Sequence, residues 1–113
     1  MHEMSLAEGV LQIIEDVARR ERFARVKSVS LEIGRLAGVE PDAMRFCFDV
    51  VTRGSVAEGC RLDIVDTPGT AWCMRCEQPV EVAQRYDECP MCGGHQLHVT
   101  GGTEMRVKEL EVA

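Results

Sequence analysis

The chain has 113 residues, 45% hydrophobic and 28% charged, which suits one small globular unit with a minor appendage. Thirteen basic against nineteen acidic residues give a net charge of −6, the wrong sign for a protein that works by neutralising phosphates. No apolar run approaches the roughly 20 residues of a membrane span, and Met1-His2-Glu3-Met4 is acidic where an export leader would be basic, so a cytoplasmic protein is expected.

Ser5-Leu6-Ala7-Glu8 has the S-x-x-E form of a capping box, and Leu6, Val10, Ile13, Ile14 and Val17 follow with helical spacing. A helix is predicted over residues 5–21, with Arg19, Arg20 and Arg22 at the negative pole of its dipole. His2 and Glu3 are then expected just outside it, on a short free N-terminus. Alternation in Val29–Ile33 predicts a strand, and Gly34 and Gly38 punctuate the loop after it. Pro41 suits the first turn of a second helix, whose Met44, Phe46, Cys47, Phe48, Val50 and Val51 predict a well-buried element. Gly54 and Gly59 frame another loop, and Leu62–Val65 reads as a second strand.

After Pro68-Gly69 the chain changes character: residues 70–102 hold four cysteines and few large apolar side chains, too few for a sizeable core. A last strand is predicted over Thr103–Val112. Met105 and Val107 share one parity there, Leu110 and Val112 the other, which calls for a bulge near Lys108-Glu109 or for a strand covered on both faces. The fold class is therefore α/β: two helices on a mixed three-stranded sheet, with an inserted zinc-ribbon-like module of four cysteines. Residues 1–68 and 103–113 form the α/β domain, and 69–102 the module. The helix-bearing stretch between the first two strands is long enough for a right-handed parallel crossover. The junctions at Pro68-Gly69 and Gly101-Gly102 read as hinges.

Cys73-Met74-Arg75-Cys76 and Cys89-Pro90-Met91-Cys92 make C-x₂-C-x₁₂-C-x₂-C. Each C-x₂-C turn sets two sulfurs on one side of a knuckle, and two facing knuckles make a closed tetrahedron of soft thiolates suited to Zn²⁺. An iron centre shares that ligand type. A closed shell leaves no position for water, so the role is structural. In a chain without an export signal, clustered cysteines are metal ligands more often than disulfides. Residues 70–102 carry two arginines against four acids, which argues against a zinc ribbon that grips nucleic acid. Cys47 reads as a small buried hydrophobe; neither it nor Cys60 is assigned to metal. His95 and His98 read first as surface residues, with auxiliary metal ligation as the alternative.

Met1-His2-Glu3 alone reads as an ordinary terminus. Its chemistry nevertheless permits a planar chelate: the His2 imidazole and its own deprotonated amide close a six-membered ring, the Met1 amine a five-membered one, and the Glu3 amide supplies a fourth nitrogen. Four nitrogens in a plane suit Ni(II) or Cu(II) and not tetrahedral Zn(II). Displacing amide protons makes such binding pH-dependent.

Met1-His2-Glu3, Phe46-Cys47-Phe48-Asp49, Arg53-Gly54-Ser55-Val56-Ala57-Glu58-Gly59-Cys60 and the four-cysteine module, in that order, resemble the HypA/HybF family of hydrogenase maturation nickel-incorporation proteins. The likeness runs over essentially the whole chain. It implies a nickel metallochaperone and not an enzyme, with His2 and the neighbouring Glu3 at the nickel site and structural Zn(II) on Cys73, Cys76, Cys89 and Cys92. It implies transfer of Ni(II), with a partner GTPase, to the large subunit of [NiFe]-hydrogenase, and in some relatives service to urease. Neither nucleic acid nor membrane is implied as a partner, and a homodimer is compatible with the sequence. The N-terminal helix and its exposed neighbours are the implied docking surface for the GTPase. The rival reading is a zinc-ribbon module that binds protein or RNA, the latter opposed by charge. An enzyme would need a general acid, nucleophile or open metal site, none of which the chain displays beyond its N-terminus.

Overall fold

The computed structural model describes residues 2–113. In chain order the elements are α1 (Glu3–Glu21), β1 (Val26–Gly34), α2 (Pro41–Val51), β2 (Arg61–Thr67), β3 (Gly69–Cys73), β4 (Gln78–Val82), β5 (Leu97–Gly101) and β6 (Met105–Val112). The strands make two three-stranded sheets, β2-β1-β6 and β4-β3-β5. The first is the mixed sheet expected beside the two helices. Gly34 N donates to Glu104 O at 2.8 Å and Ala113 N to Arg25 O at 3.2 Å, so β6 runs antiparallel to β1. The chain gathers into two compact units: residues up to Leu31 with Val39–Ile64 and Val107–Ala113, and Glu32–Gly38 with Val65–Arg106.

The core of the first unit combines Ala7, Val10 and Ile14 from α1, Val29 and Leu31 from β1, Met44 and Phe48 from α2, and Ala57 and Leu62. Positions 7, 10 and 14 lie one helical turn apart, so a single stripe of α1 packs inward. The helix starts two residues earlier than the capping-box pattern predicts. His2 is its N-cap, with no side-chain capping bond, and the His2 carbonyl takes the first helical hydrogen bond from Leu6 N at 2.9 Å. Ser5 lies inside the first turn, and Glu3 is helical and only 8% exposed rather than on a free end. The cause is tertiary: the Glu3 carboxylate accepts from Glu40 N at 3.0 Å and draws the first turn against the start of α2. A local cap contributes only about 1 kcal/mol, which such a contact can outweigh.

Pro41 opens α2 as expected, and the Glu40 side chain caps it by accepting from Ala43 N at 2.8 Å. The helix is less buried than its composition suggests: only Met44 and Phe48 are buried, while Phe46 is 66% exposed. Phe46 stands about 200° around the helix from both and so faces the other way. In β6, Met105, Val107 and Leu110 are partly buried while Lys108 and Glu109 are both exposed, so the buried parity changes where the sequence calls for a bulge.

The second unit is built on β3. Its partners are β4, antiparallel with Ala71 opposite Val80, and β5, antiparallel with Ala71 opposite Val99 and a register shift between Thr70 and Ala71. The inward face carries Ala71, Cys73, Val80 and Val82, which pack with Cys89 and Leu36, while Leu97 and Val99 are partly buried against them. The cysteine segment thus has a small sheet and core that its composition does not announce. The glycine junctions read as hinges are close-packed inside this unit. A Cβ on Gly102 would lie 2.4 Å from the Pro68 carbonyl oxygen, and one on Gly34 would lie 2.1 Å from that of Gly102. Leu36 N also donates to Gly102 O at 2.8 Å. Gly102→Ala, with φ +79° and a backbone clash, should destabilise the protein by about 2–4 kcal/mol. Gly38→Ala, with φ +74° and open space, should cost only the conformational part, about 1–2 kcal/mol. Denaturant unfolding of the two variants checks the difference.

Candidate metal centres

Two knuckles converge in the second unit. The first follows β3: Cys76 N donates to Cys73 Sγ at 3.3 Å, and Glu77 N returns to Cys73 O at 2.8 Å. The second repeats the device: Met91 N donates to Cys89 Sγ at 3.4 Å, and Gly93 N to Cys89 O at 2.8 Å. The residue after each C-x-x-C is left-handed, Glu77 at φ 52° and Gly93 at φ 73°, which folds the backbone around the sulfurs. Gly93 does this without a Cβ penalty; Glu77 accepts one.

The four sulfurs lie within 4.8 Å of one another, with Cys73 Sγ to Cys92 Sγ at 3.8 Å and Cys76 Sγ to Cys89 Sγ at 4.0 Å. A tetrahedron with Zn–S arms of about 2.3 Å has edges of about 3.8 Å, so the cage fits Zn²⁺ in both size and donor type. Its electrostatics call for a cation. The Cys76 and then the Arg75 amides, among the lowering contributions, bring the Cys73 thiol down to about 7. The hydrogen bond with Cys92, followed by desolvation, pushes Cys76 up to about 12. Four sulfurs this close share one negative charge readily and four only around a metal. Cys73 and Cys89 are buried, and Cys76 and Cys92 partly so.

His2 and Glu3 open α1. The His2 side chain is 49% exposed and that of Glu3 11%, with His2 Nδ1 3.9 Å from Glu3 Oε2. The Glu40 amide, and then its own, hold the Glu3 carboxyl below the usual range, so it is ionised near neutrality. Met1, whose amine the planar chelate would use, lies outside the described residues. Glu40, absent from the sequence reading of this site, is brought to it by the fold; its place before Pro41 marked it only as a helix cap. His95 and His98 are exposed, and His98 stands opposite Trp72 across β3 and β5. Cys47 and Cys60 are half-buried outside the four-sulfur group, and burial pushes the Cys60 thiol up, away from the metal-binding thiolate.

These features define a small metal-binding α/β protein with a four-thiolate centre and an accessible histidine where its first helix begins. The chain belongs to the HypA family, described as "Hydrogenase/urease nickel incorporation, metallochaperone, hypA", whose pattern matches residues 1–112. It is 69% identical over 112 residues to the hydrogenase maturation factor HypA of Albidiferax ferrireducens, with 99% of each chain covered. It is 61% identical over the same length to that of Dechloromonas aromatica, again with 99% of each covered. The solution structure of the Ni metallochaperone HypA from Helicobacter pylori matches with a TM-score of 0.71 at 25% identity, covering 99% of this chain and 97% of that one. The family is one of nickel metallochaperones in hydrogenase maturation, and the architecture of two helices, a mixed sheet and a four-cysteine cluster is shared with its solved members.

Proposed function

We propose that this chain takes up Ni(II) at His2 and, together with a partner GTPase, delivers it to the large subunit of [NiFe]-hydrogenase in the cytoplasm. It acts as a carrier and not as an enzyme. Cys73, Cys76, Cys89 and Cys92 hold a structural Zn(II). The observation that carries the reading is the contrast between the two candidate centres. The cysteine cage is closed, partly buried and tied by backbone amides, which suits a metal that stays. His2 is exposed at a chain end, which suits a metal that must be passed on. Its imidazole and amide, with the Met1 amine, offer three planar nitrogens of the kind Ni(II) prefers. Residues 1–68 with 103–113 are the nickel-handling part and 69–102 the zinc-binding part.

Transfer can be followed directly. Nickel-loaded protein should deliver its metal to purified large-subunit precursor faster with the GTPase and GTP than without them, while zinc stays at one per chain. Zinc appearing in the precursor in step with nickel would count against the division of roles.

A further inference from the structure

We propose that Glu3 is a positioning residue: its carboxylate latches the nickel-binding N-terminus to the start of α2 through the Glu40 amide and does not itself ligate nickel. The inference rests on the reading of His2 as the nickel residue.

Three observations support it. Glu3 Oε2 accepts from Glu40 N at 3.0 Å, and the same oxygen is the one beside His2 Nδ1. The Glu3 side chain is 11% exposed against 49% for His2, so the imidazole is presented to solvent and the carboxylate is withdrawn. Glu40 in turn caps α2 by accepting from Ala43 N at 2.8 Å. Two carboxylates in series thus tie the first turn of α1 to that of α2.

Oε2 is committed to the Glu40 amide, and moving it onto nickel would strand a partly buried donor. As a latch it does more. A free terminus must lose conformational freedom to wrap a metal in consecutive chelate rings, and holding residue 3 in a helical turn against α2 removes part of that cost beforehand. Linkage makes the effect reciprocal: whatever the latch adds to nickel affinity, bound nickel adds to the latch.

The test uses the full chain with its native N-terminus, nickel titrated by calorimetry, the nickel absorption spectrum, and amide exchange at Glu40 with and without nickel. Glu3→Gln keeps an acceptor oxygen and should weaken nickel by no more than about threefold. Glu3→Ala should weaken it about tenfold or more with an unchanged planar spectrum, and the Glu40 amide should exchange faster. Nickel should slow that exchange in the parent protein only. A Glu3→Gln protein as weak as Glu3→Ala, with an altered spectrum, would make the carboxylate a ligand and overturn the proposal. So would a Glu3→Ala protein of parental affinity. Should Glu3→Ala fail to fold, the donor can be removed instead: Glu40 has φ −87°, which proline tolerates. Glu40→Pro should weaken nickel relative to Glu40→Ala, which keeps the amide; equal affinities would overturn the latch. Loss of nickel in His2→Ala tests the underlying reading separately, since the latch is intact there.

Discussion

Replacing Cys89 with serine should release the zinc and unfold the unit built around it, leaving α1, α2 and their core folded. Cys89 is 1% exposed and belongs to the same small core as Ala71, Val80, Val82 and Leu36. A serine hydroxyl remains protonated near neutral pH and is a hard donor, so the cage drops to three thiolates and gains a buried polar group. A structural zinc contributes about 10–16 kcal/mol to folding in small peptides, far more than a core of this size supplies alone. The other unit has Ile14, Leu31, Met44 and Phe48 of its own and does not share the sulfurs. Acid should have the same effect as the substitution. The released thiols bind protons that the zinc-bound thiolates do not, so release takes up protons and is favoured as pH falls. Zinc per chain, near-ultraviolet dichroism of Trp72 and amide exchange along α1 and α2 measure the outcome. A serine variant that keeps a full zinc, or one that also loses α1 and α2, would contradict this account.

The parts of the fold legible in the sequence are those with a strong local period. Val10, Ile14 and their neighbours announce α1, Val29–Ile33 announces β1, and the two C-x-x-C turns announce their own cage. What was not legible is non-local. The start of α1 depends on a carboxylate meeting an amide 37 residues away, so Ser5-x-x-Glu8, a sound local pattern, points to the wrong residue. Strands β3 to β5 hide because their inward positions are small or sulfur-bearing, Ala71 and Cys73, while Trp72 between them is 40% exposed and inverts the apparent alternation. Phe46 shows the converse error: an apolar composition suggested burial, although the packing stripe of α2 uses only Met44 and Phe48. Gly34 and Gly102 are visible as glycines, but only the fold shows that each is the other's reason, since their backbones touch. Leu36 could not be assigned in advance to the cysteine unit, because it lies outside the segment that the cysteines mark.

His2→Ala should abolish high-affinity nickel binding while leaving zinc content and fold unchanged. The substitution removes the imidazole and with it the six-membered chelate ring, and residue 2 is an exposed N-cap whose side chain makes no capping bond. The helix loses nothing local, because the bond from Leu6 N is to the residue 2 carbonyl, which alanine retains. His2→Gln keeps polarity but lacks a comparable nitrogen donor and should behave alike. An N-terminal extension should also weaken the site, since the Met1 amine becomes an amide. If an extended protein binds nickel normally while His2→Ala does not, the amine is dispensable and another donor completes the set, with the exposed His98 and His95 the first to replace. Bound nickel should show the absorption of a low-spin planar centre and should fade in acid, because protons compete for the imidazole and the amides that the metal displaced them from. Calorimetric titration of each variant, with zinc counted in the same samples, separates loss of the site from loss of the fold. Parental nickel affinity in His2→Ala would remove the basis for placing the cargo at the N-terminus, whatever family the chain belongs to.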